Sequence, residues 1–199
     1  MKALQVQAPG KIQLVDGPSP RPNPDEVVLR VRMVGMCGSD LNTFRGNNPL
    51  VSYPRILGHE IAATVQAGNE RMQAGTNVTV SPYTSCGSCA SCRRRRPNAC
   101  RFNETFGVQR DGALTEFLVV PAEKIYPAEG LRLQELVLVE PLTVGFHAVG
   151  RGRVSKADTV AIFGCGGVGL GAISGAARRG EPVGCENSIA WGAGPWGPT

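Results

Sequence analysis

The sequence predicts a β-rich domain of compact barrel or sandwich type, followed by the opening of an α/β domain. Three observations carry this. Short segments of alternating apolar and polar residues recur through the first 125 residues. Glycine and proline are abundant, at 26 and 15 of 199 residues, which suits a turn-rich β protein better than a helical bundle. One later stretch, residues 158–180, runs from an apolar strand through a glycine turn into a small-residue helix.

Residues 2–8 and 11–15 alternate on either side of "APG" and predict a hairpin. "EVVLRVRMVG" (26–35) sets Val27, Leu29, Val31 and Met33 on one face of a half-buried strand. Residues 59–68, 77–82 and 112–121 read as further strands, with a cysteine-rich loop between the last two. From residue 133 the spacing turns helical and is interrupted at Pro141. A domain boundary is placed near 150–155, giving 1–150 and 151–199. In the second part "EPVGCE" makes a poor strand because of Pro182 and Gly184. The tail from about 181 to 199 holds both tryptophans among Gly and Pro, and is expected to be poorly ordered.

The start, "MKALQVQAPGK", lacks the continuous apolar run of a signal peptide, and no run of about 18 apolar residues exists to span a membrane. A cytoplasmic address follows by default. Its thiols are kept reduced, so the seven cysteines are expected to be ligands or buried apolar residues rather than disulfides. The net charge of +5 is modest, and Arg93, Arg94, Arg95 and Arg96 supply most of it. That run is read as a solvated loop beside a thiolate cluster. The other reading, a nucleic-acid footprint, needs interleaved aromatics and a recurring basic face, and neither is present.

"CGSCASCRRRRPNAC" (86–100) carries Cys86, Cys89, Cys92 and Cys100. Four thiolates satisfy a tetrahedral zinc with no position left open, which makes a structural cross-link in a loop too polar to fold by burial. A ferredoxin run would place its fourth cysteine three residues on, before proline. A zinc ribbon would pair two C-x2-C knuckles across a longer spacer. Structural zinc is the favoured reading.

Cys37 in "MCGSD", His59 and Glu60 in "LGHE", and Glu140 in "VEP" offer one sulfur, one nitrogen and two carboxylates. Three protein ligands plus a solvent position form a catalytic zinc site, alcohol dehydrogenases among them. The Cys37 motif, Gly58-His59-Glu60, the four-cysteine loop, Glu140-Pro141 and the glycine turn occur in one order. In that order the chain, from residue 1 to about 180, resembles the zinc-dependent medium-chain alcohol dehydrogenases. Glutamate at 140 points to the polyol and sugar-acid branch, which includes sorbitol, galactitol and threonine dehydrogenases. The resemblance implies a GroES-like barrel and then a Rossmann domain. It implies Cys37, His59 and Glu60 as first ligands, with Glu140 bound directly or through water. It implies Asp40 as the carboxylate that orients His59, and Ser39 as the hydroxyl that takes the substrate proton. Asn42 stands where relatives often place a relay histidine, and an amide carries no proton near neutral pH. Ala63 stands where relatives commonly have glycine.

Gly164, Gly166 and Gly169 form G-x-G-x-x-G after "TVAIF". With Gly167 and Val168 they would present backbone N–H groups and a helix N-terminus to a pyrophosphate. Cys165 and His147 are read as packing and structural residues. Glu186 is roughly placed to hold a ribose, but the further strands of a full nucleotide domain are missing. The expectation is a truncated product, with a reading-frame shift near residue 180. The function implied is oxidation of a secondary alcohol on a polyol or sugar acid, with hydride leaving a zinc-bound alkoxide for NAD or NADP; the branch favours NAD. The alternative is a truncated zinc-binding fragment that turns nothing over. The expected partner is a small molecule, with no nucleic acid or membrane; full-length relatives are homo-oligomers.

Overall fold

The computed structural model describes residues 1–67 and 72–179, and the backbone alone of 183–186. It divides into two compact units, Met1–Leu138 and a second that begins at Val139. The expected boundary near 150–155 lies further along the chain. The helix that spans Val139–Arg151 packs on a later helix of the second unit, and so belongs with it.

In the first unit, β1 (Lys2–Ala8) and β2 (Lys11–Asp16) form the expected antiparallel hairpin. Gly10 turns it with a φ of +74°, a conformation that glycine adopts without penalty. Next come β3 (Glu26–Gly35), α1 (Gly38–Phe44), β4 (Arg55–Ile56), β5 (Glu60–Ala67) and β6 (Asn77–Val80). They are followed by α2 (Ala90–Arg93), β7 (Phe117–Pro121), β8 (Ile125–Pro127) and α3 (Leu133–Leu136). The main sheet is antiparallel in the order β7-β3-β5-β6-β8, and a smaller sheet runs β2-β1-β4.

Alternation decides which side chains enter the core. Val27 and Leu29 of β3 join Ile61, Ala63 and Val65 of β5, Val78 and Val80 of β6, and Leu118 and Val120 of β7. Phe106, fully buried, closes this cluster from a loop. Ala62 faces the other way and is covered by Leu136 and Val137. Two register shifts along the β3–β5 ladder end with Gly35 opposite Glu60, the pair that matters below.

The strand expected over 112–121 is formed only from Phe117 onward. Residues 112–114 instead give their N–H groups to the carbonyls of 56–58. Pro141 does not interrupt a helix. It lies in the first turn of α4 (Val139–Arg151), where N–H groups have no intrahelical acceptor to lose.

The second unit continues with β9 (Val160–Phe163), α5 (Gly167–Ala177) and β10 (Val183–Glu186). The backbone of Val183–Glu186 pairs in parallel with β9, so this segment is a strand despite its composition. Helices α4 and α5 approach closely because glycines line the contact. A Cβ on Gly171 would stand 3.0 Å from the Leu142 carbonyl oxygen, and one on Gly175 would stand 3.2 Å from Phe146 Cα. The tail expected to be poorly ordered lies, beyond residue 186, outside the described residues. Among the described residues no helix is long and apolar enough to cross a membrane.

Candidate metal centres

The four-cysteine loop folds back on itself with little help from burial: none of residues 86–99 is buried. Cys89 caps α2, and Cys100 follows a 3-10 turn over Pro97–Ala99. The sulfurs stand 3.5 Å (Cys89–Cys92 and Cys86–Cys100), 3.9 Å (Cys89–Cys100) and 4.0 Å (Cys86–Cys92) apart. A tetrahedron with metal–sulfur bonds of about 2.3 Å has edges of about 3.8 Å, so the spacing fits one tetrahedral ion. Backbone N–H groups point at the sulfurs, from Cys86 and Phe102 to Cys100 and from Cys89 to Cys86. The N–H groups of Cys92 and then Arg101 hold the Cys89 thiol down at about 6. Desolvation, and then hydrogen bonds with Cys89 and Cys100, push Cys92 up to about 12. Four sulfurs in contact cannot all ionise without a cation among them, which is the chemistry of a zinc site. Arg93, Arg94, Arg95 and Arg96 are exposed around this loop, as a solvated basic run would be.

The second cluster is assembled from separate elements. Cys37 is the N-cap of α1, His59 ends the loop after β4, and Glu60 opens β5. One ligand atom from each lies within 4.8 Å of the others. Glycine at 35 makes room for the carboxylate: a Cβ there would fall on Glu60 Oε2 and lie 2.9 Å from Glu60 Cβ. Gly35 went unnoticed in the sequence; the signal was a glycine closing a ten-residue apolar strand.

Asp40 is 2 % exposed, and its carboxylate is divided between two backbone N–H groups. Oδ2 accepts from Cys37 at 3.0 Å and Oδ1 accepts from Gly58 at 3.2 Å. It thus ties the segment bearing Cys37 to the segment bearing His59. Its distance to His59 Nδ1 is 3.7 Å, beyond hydrogen-bond reach, so Asp40 positions backbones more directly than it holds the ring. His59 Nδ1 is buried without a hydrogen-bond partner. An imidazole, a thiol and a carboxylate with ligand atoms within 4.8 Å of one another are the donor set of zinc, and the residues present fit that ion.

Ser39 lies half-buried in the first turn of α1, two residues from Cys37. Glu140 is buried in the first turn of α4, within the second unit, and is not in the three-residue cluster. His147 is exposed on α4 rather than set in an apolar environment. A cavity of about 840 Å³ lined by Pro18, Arg21, Ile56, Arg110 and Leu118 includes none of the candidate ligands.

In the second unit Gly164 has a φ of +95°, and Gly166 caps α5. A Cβ on Gly169 would fall on the Gly164 carbonyl oxygen, so the strand, turn and helix close only with glycine there. Cβ atoms on Gly166 and Gly167 would meet nothing within 4 Å, which leaves their backbone open to a ligand. Cys165 is disulfide-bonded, contrary to the expectation of reduced thiols throughout.

Residues 23–130 match the alcohol dehydrogenase GroES-like domain. The chain is 35 % identical over 186 residues to the L-galactonate-5-dehydrogenase of Escherichia coli K12, covering 92 % of this chain and 55 % of that protein. It is 36 % identical over 186 residues to the sorbitol dehydrogenase of Bacillus subtilis 168, covering 88 % and 52 %. Its fold is similar to a crystal structure, described as a short-chain alcohol dehydrogenase from E. coli CFT073, complexed with NADH. The TM-score is 0.81 at 29 % identity, over 96 % of this chain and 63 % of that one. The chain spans about half the length of the curated relatives it matches.

Proposed function

Because the chain belongs to the family of the alcohol dehydrogenase GroES-like domain, we propose that it carries the metal-binding, substrate-activating part of an oxidoreductase. Its substrate is a secondary alcohol on a polyol or sugar acid, and its hydride partner is a nicotinamide dinucleotide. One observation carries the reading: Cys37, His59 and Glu60 converge from three places in the fold, with a ligand atom of each within 4.8 Å of the others.

In this reading Cys37, His59 and Glu60 hold a zinc ion and leave a position for substrate. A bound zinc supplies Lewis acidity, which lowers the pKa of a substrate hydroxyl. Asp40 fixes the two backbone segments that deliver Cys37 and His59. Ser39, in the turn between them, takes the hydroxyl proton. Asn42 cannot pass that proton on near neutral pH, so it leaves from Ser39 to solvent or through another group. The first unit supplies three ligands by itself, so the reading does not depend on Glu140. The four cysteines hold a second zinc that braces the 86–100 loop.

The glycine turn at 164–169 takes the pyrophosphate, through the open backbone at Gly166 and Gly167 and the N-terminus of α5. The second unit is then a partial Rossmann domain. NAD is favoured over NADP, in line with the branch that the polyol relatives represent.

A second reading keeps both metals but not turnover. It is favoured by the second unit, which holds only two paired strands among the described residues. Titration with NADH separates the two: binding at micromolar levels supports the oxidoreductase, and failure to saturate supports a non-catalytic zinc-binding chain. Metal analysis tests what they share. Two zincs per chain are expected, falling to one in His59→Ala. A wild-type chain that binds only one zinc sinks the assignment.

A further inference from the structure

His59 is delivered by a backbone that a distant segment grips. The Gly112 N–H donates to the Ile56 carbonyl at 2.7 Å, the Ala113 N–H to Gly58 at 2.9 Å and the Leu114 N–H to Leu57 at 2.9 Å. The Asp111 carboxylate accepts from the Ile56 N–H at 3.0 Å and from the Arg55 guanidinium at 3.1 Å. Asp40 takes the remaining N–H of Gly58. Gly58, the residue immediately before His59, is therefore bonded through both its N–H and its carbonyl.

Two glycines allow this grip. A Cβ on Gly112 would fall on the Gly58 carbonyl oxygen, and would lie 2.6 Å from the Leu57 oxygen and 2.7 Å from Gly107 Cα. A Cβ on Gly107 would lie 2.8 Å from the Gly58 nitrogen and 3.2 Å from its carbonyl oxygen. Gly107 and Gly58 have φ of +76° and +95°, so they need glycine for their own conformation as well. The atoms that a side chain would strike are backbone and cannot rotate aside. Neither Gly107 nor Gly112 has a side chain to offer a ligand, so what they contribute is geometry.

We propose that Gly107 and Gly112 are positioning residues for the open metal cluster. Their lack of a Cβ lets the 107–114 segment clamp the Gly58 peptide, and the clamped peptide sets where the His59 imidazole meets Cys37 and Glu60. The inference rests on the reading of those three residues as a metal site. A single methyl at 112 requires a backbone shift on the order of half an ångström, whereas metal–ligand distances tolerate about 0.2 Å. The linkage is reciprocal. If the clamp favours metal binding, bound metal stabilises the clamp to the same degree.

The test uses the 199-residue chain, with zinc affinity at each cluster measured by chelator competition. Gly112→Ala and Gly107→Ala are expected to weaken zinc at the open cluster tenfold or more and to leave the four-cysteine cluster unchanged. Gly130→Ala is the control, because Gly130 also has a positive φ (+80°) but has nothing within 4 Å of a built Cβ. It should cost some stability and leave both affinities as they were. Amide exchange on the wild-type chain gives a second readout that needs no variant. Chelating one zinc should speed exchange at Gly112, Ala113 and Leu114 severalfold relative to Gly75, whose N–H bonds to Val65. Wild-type affinity in both variants overturns the inference, as does unchanged exchange at those three amides should the variants not fold. A wild-type chain holding one zinc overturns the metal reading itself, and is thereby distinguished from failure of the clamp.

Discussion

The two candidate metal clusters of the first unit use opposite means to bring their residues together. The four cysteines lie within fifteen consecutive residues, on a loop with no buried residue before Cys100. Cys37, His59 and Glu60 come from a helix cap, a loop and a strand, and they rest on a sheet whose core residues are fully buried. The first cluster has no buried side chain before Cys100 to hold its shape, only the backbone bonds of its turns and those to its sulfurs. The second is shaped before any ion arrives, by strand pairing and by the carboxylate of Asp40. Metal binding would thus add folding energy in one cluster and occupy a prepared site in the other.

Removing metal should expose this contrast most strongly. Stripping both zincs is expected to leave the sheet folded while the 86–100 loop opens, so trypsin cleaves at Arg93–Arg96 about a thousandfold faster. Cys100→Ser should do the same with zinc present. Slow cleavage of the metal-free chain would mean that the loop is held by something besides its ion.

His59→Ala comes next. It removes one of three ligands and should weaken the open cluster several hundredfold, with thermal stability nearly unchanged, since the sheet supplies the scaffold. A large fall in melting temperature, measured by calorimetry, would erase the distinction between the clusters.

Asp40→Asn keeps the shape but loses the charge that gathers two N–H groups. An effect of about ten- to a hundredfold on open-cluster affinity is expected, the range of outer-sphere partners of metal ligands. No effect would show that the Cys37 and Gly58 backbones hold without it. Gly35→Ala should have the smallest effect, about tenfold or less, because the added methyl meets only the Glu60 side chain: the carboxylate can swing aside, and the Glu60 Cβ at 2.9 Å asks only a small strand shift. Its crystal structure should show the Glu60 carboxylate displaced from Cys37 and His59.

Much of the fold was legible because its signals are local. The β1–β2 hairpin and strands within 26–35, 59–68 and 77–82 were legible as short apolar segments, and the structure has strands over Glu26–Gly35, Glu60–Ala67 and Asn77–Val80. Pro141 misled because a proline in a first turn looks, in a linear string, like one that breaks a helix. Val183–Glu186 pairs with β9 although it holds a glycine, because a parallel neighbour supplies hydrogen bonds that propensity does not register. The boundary at Val139 depends on helix α4 packing against α5 through Gly145, Gly171 and Gly175, a contact without a sequence period.

The candidate sites divide in the same way. The sequence alone determined the four-cysteine cluster, because its ligands are so near in the chain that almost any fold of that loop brings the sulfurs together. It also supplied the residue types of the open cluster. Only the tertiary structure decided that Cys37, His59 and Glu60 converge, that Asp40 bonds to backbone rather than to the ring, and that a Cβ on Gly35, Gly107 or Gly112 would strike a distant neighbour. Each of these is a distance between atoms far apart in the chain, and such distances are fixed by strand register and close backbone packing, which exist only once the sheet has formed.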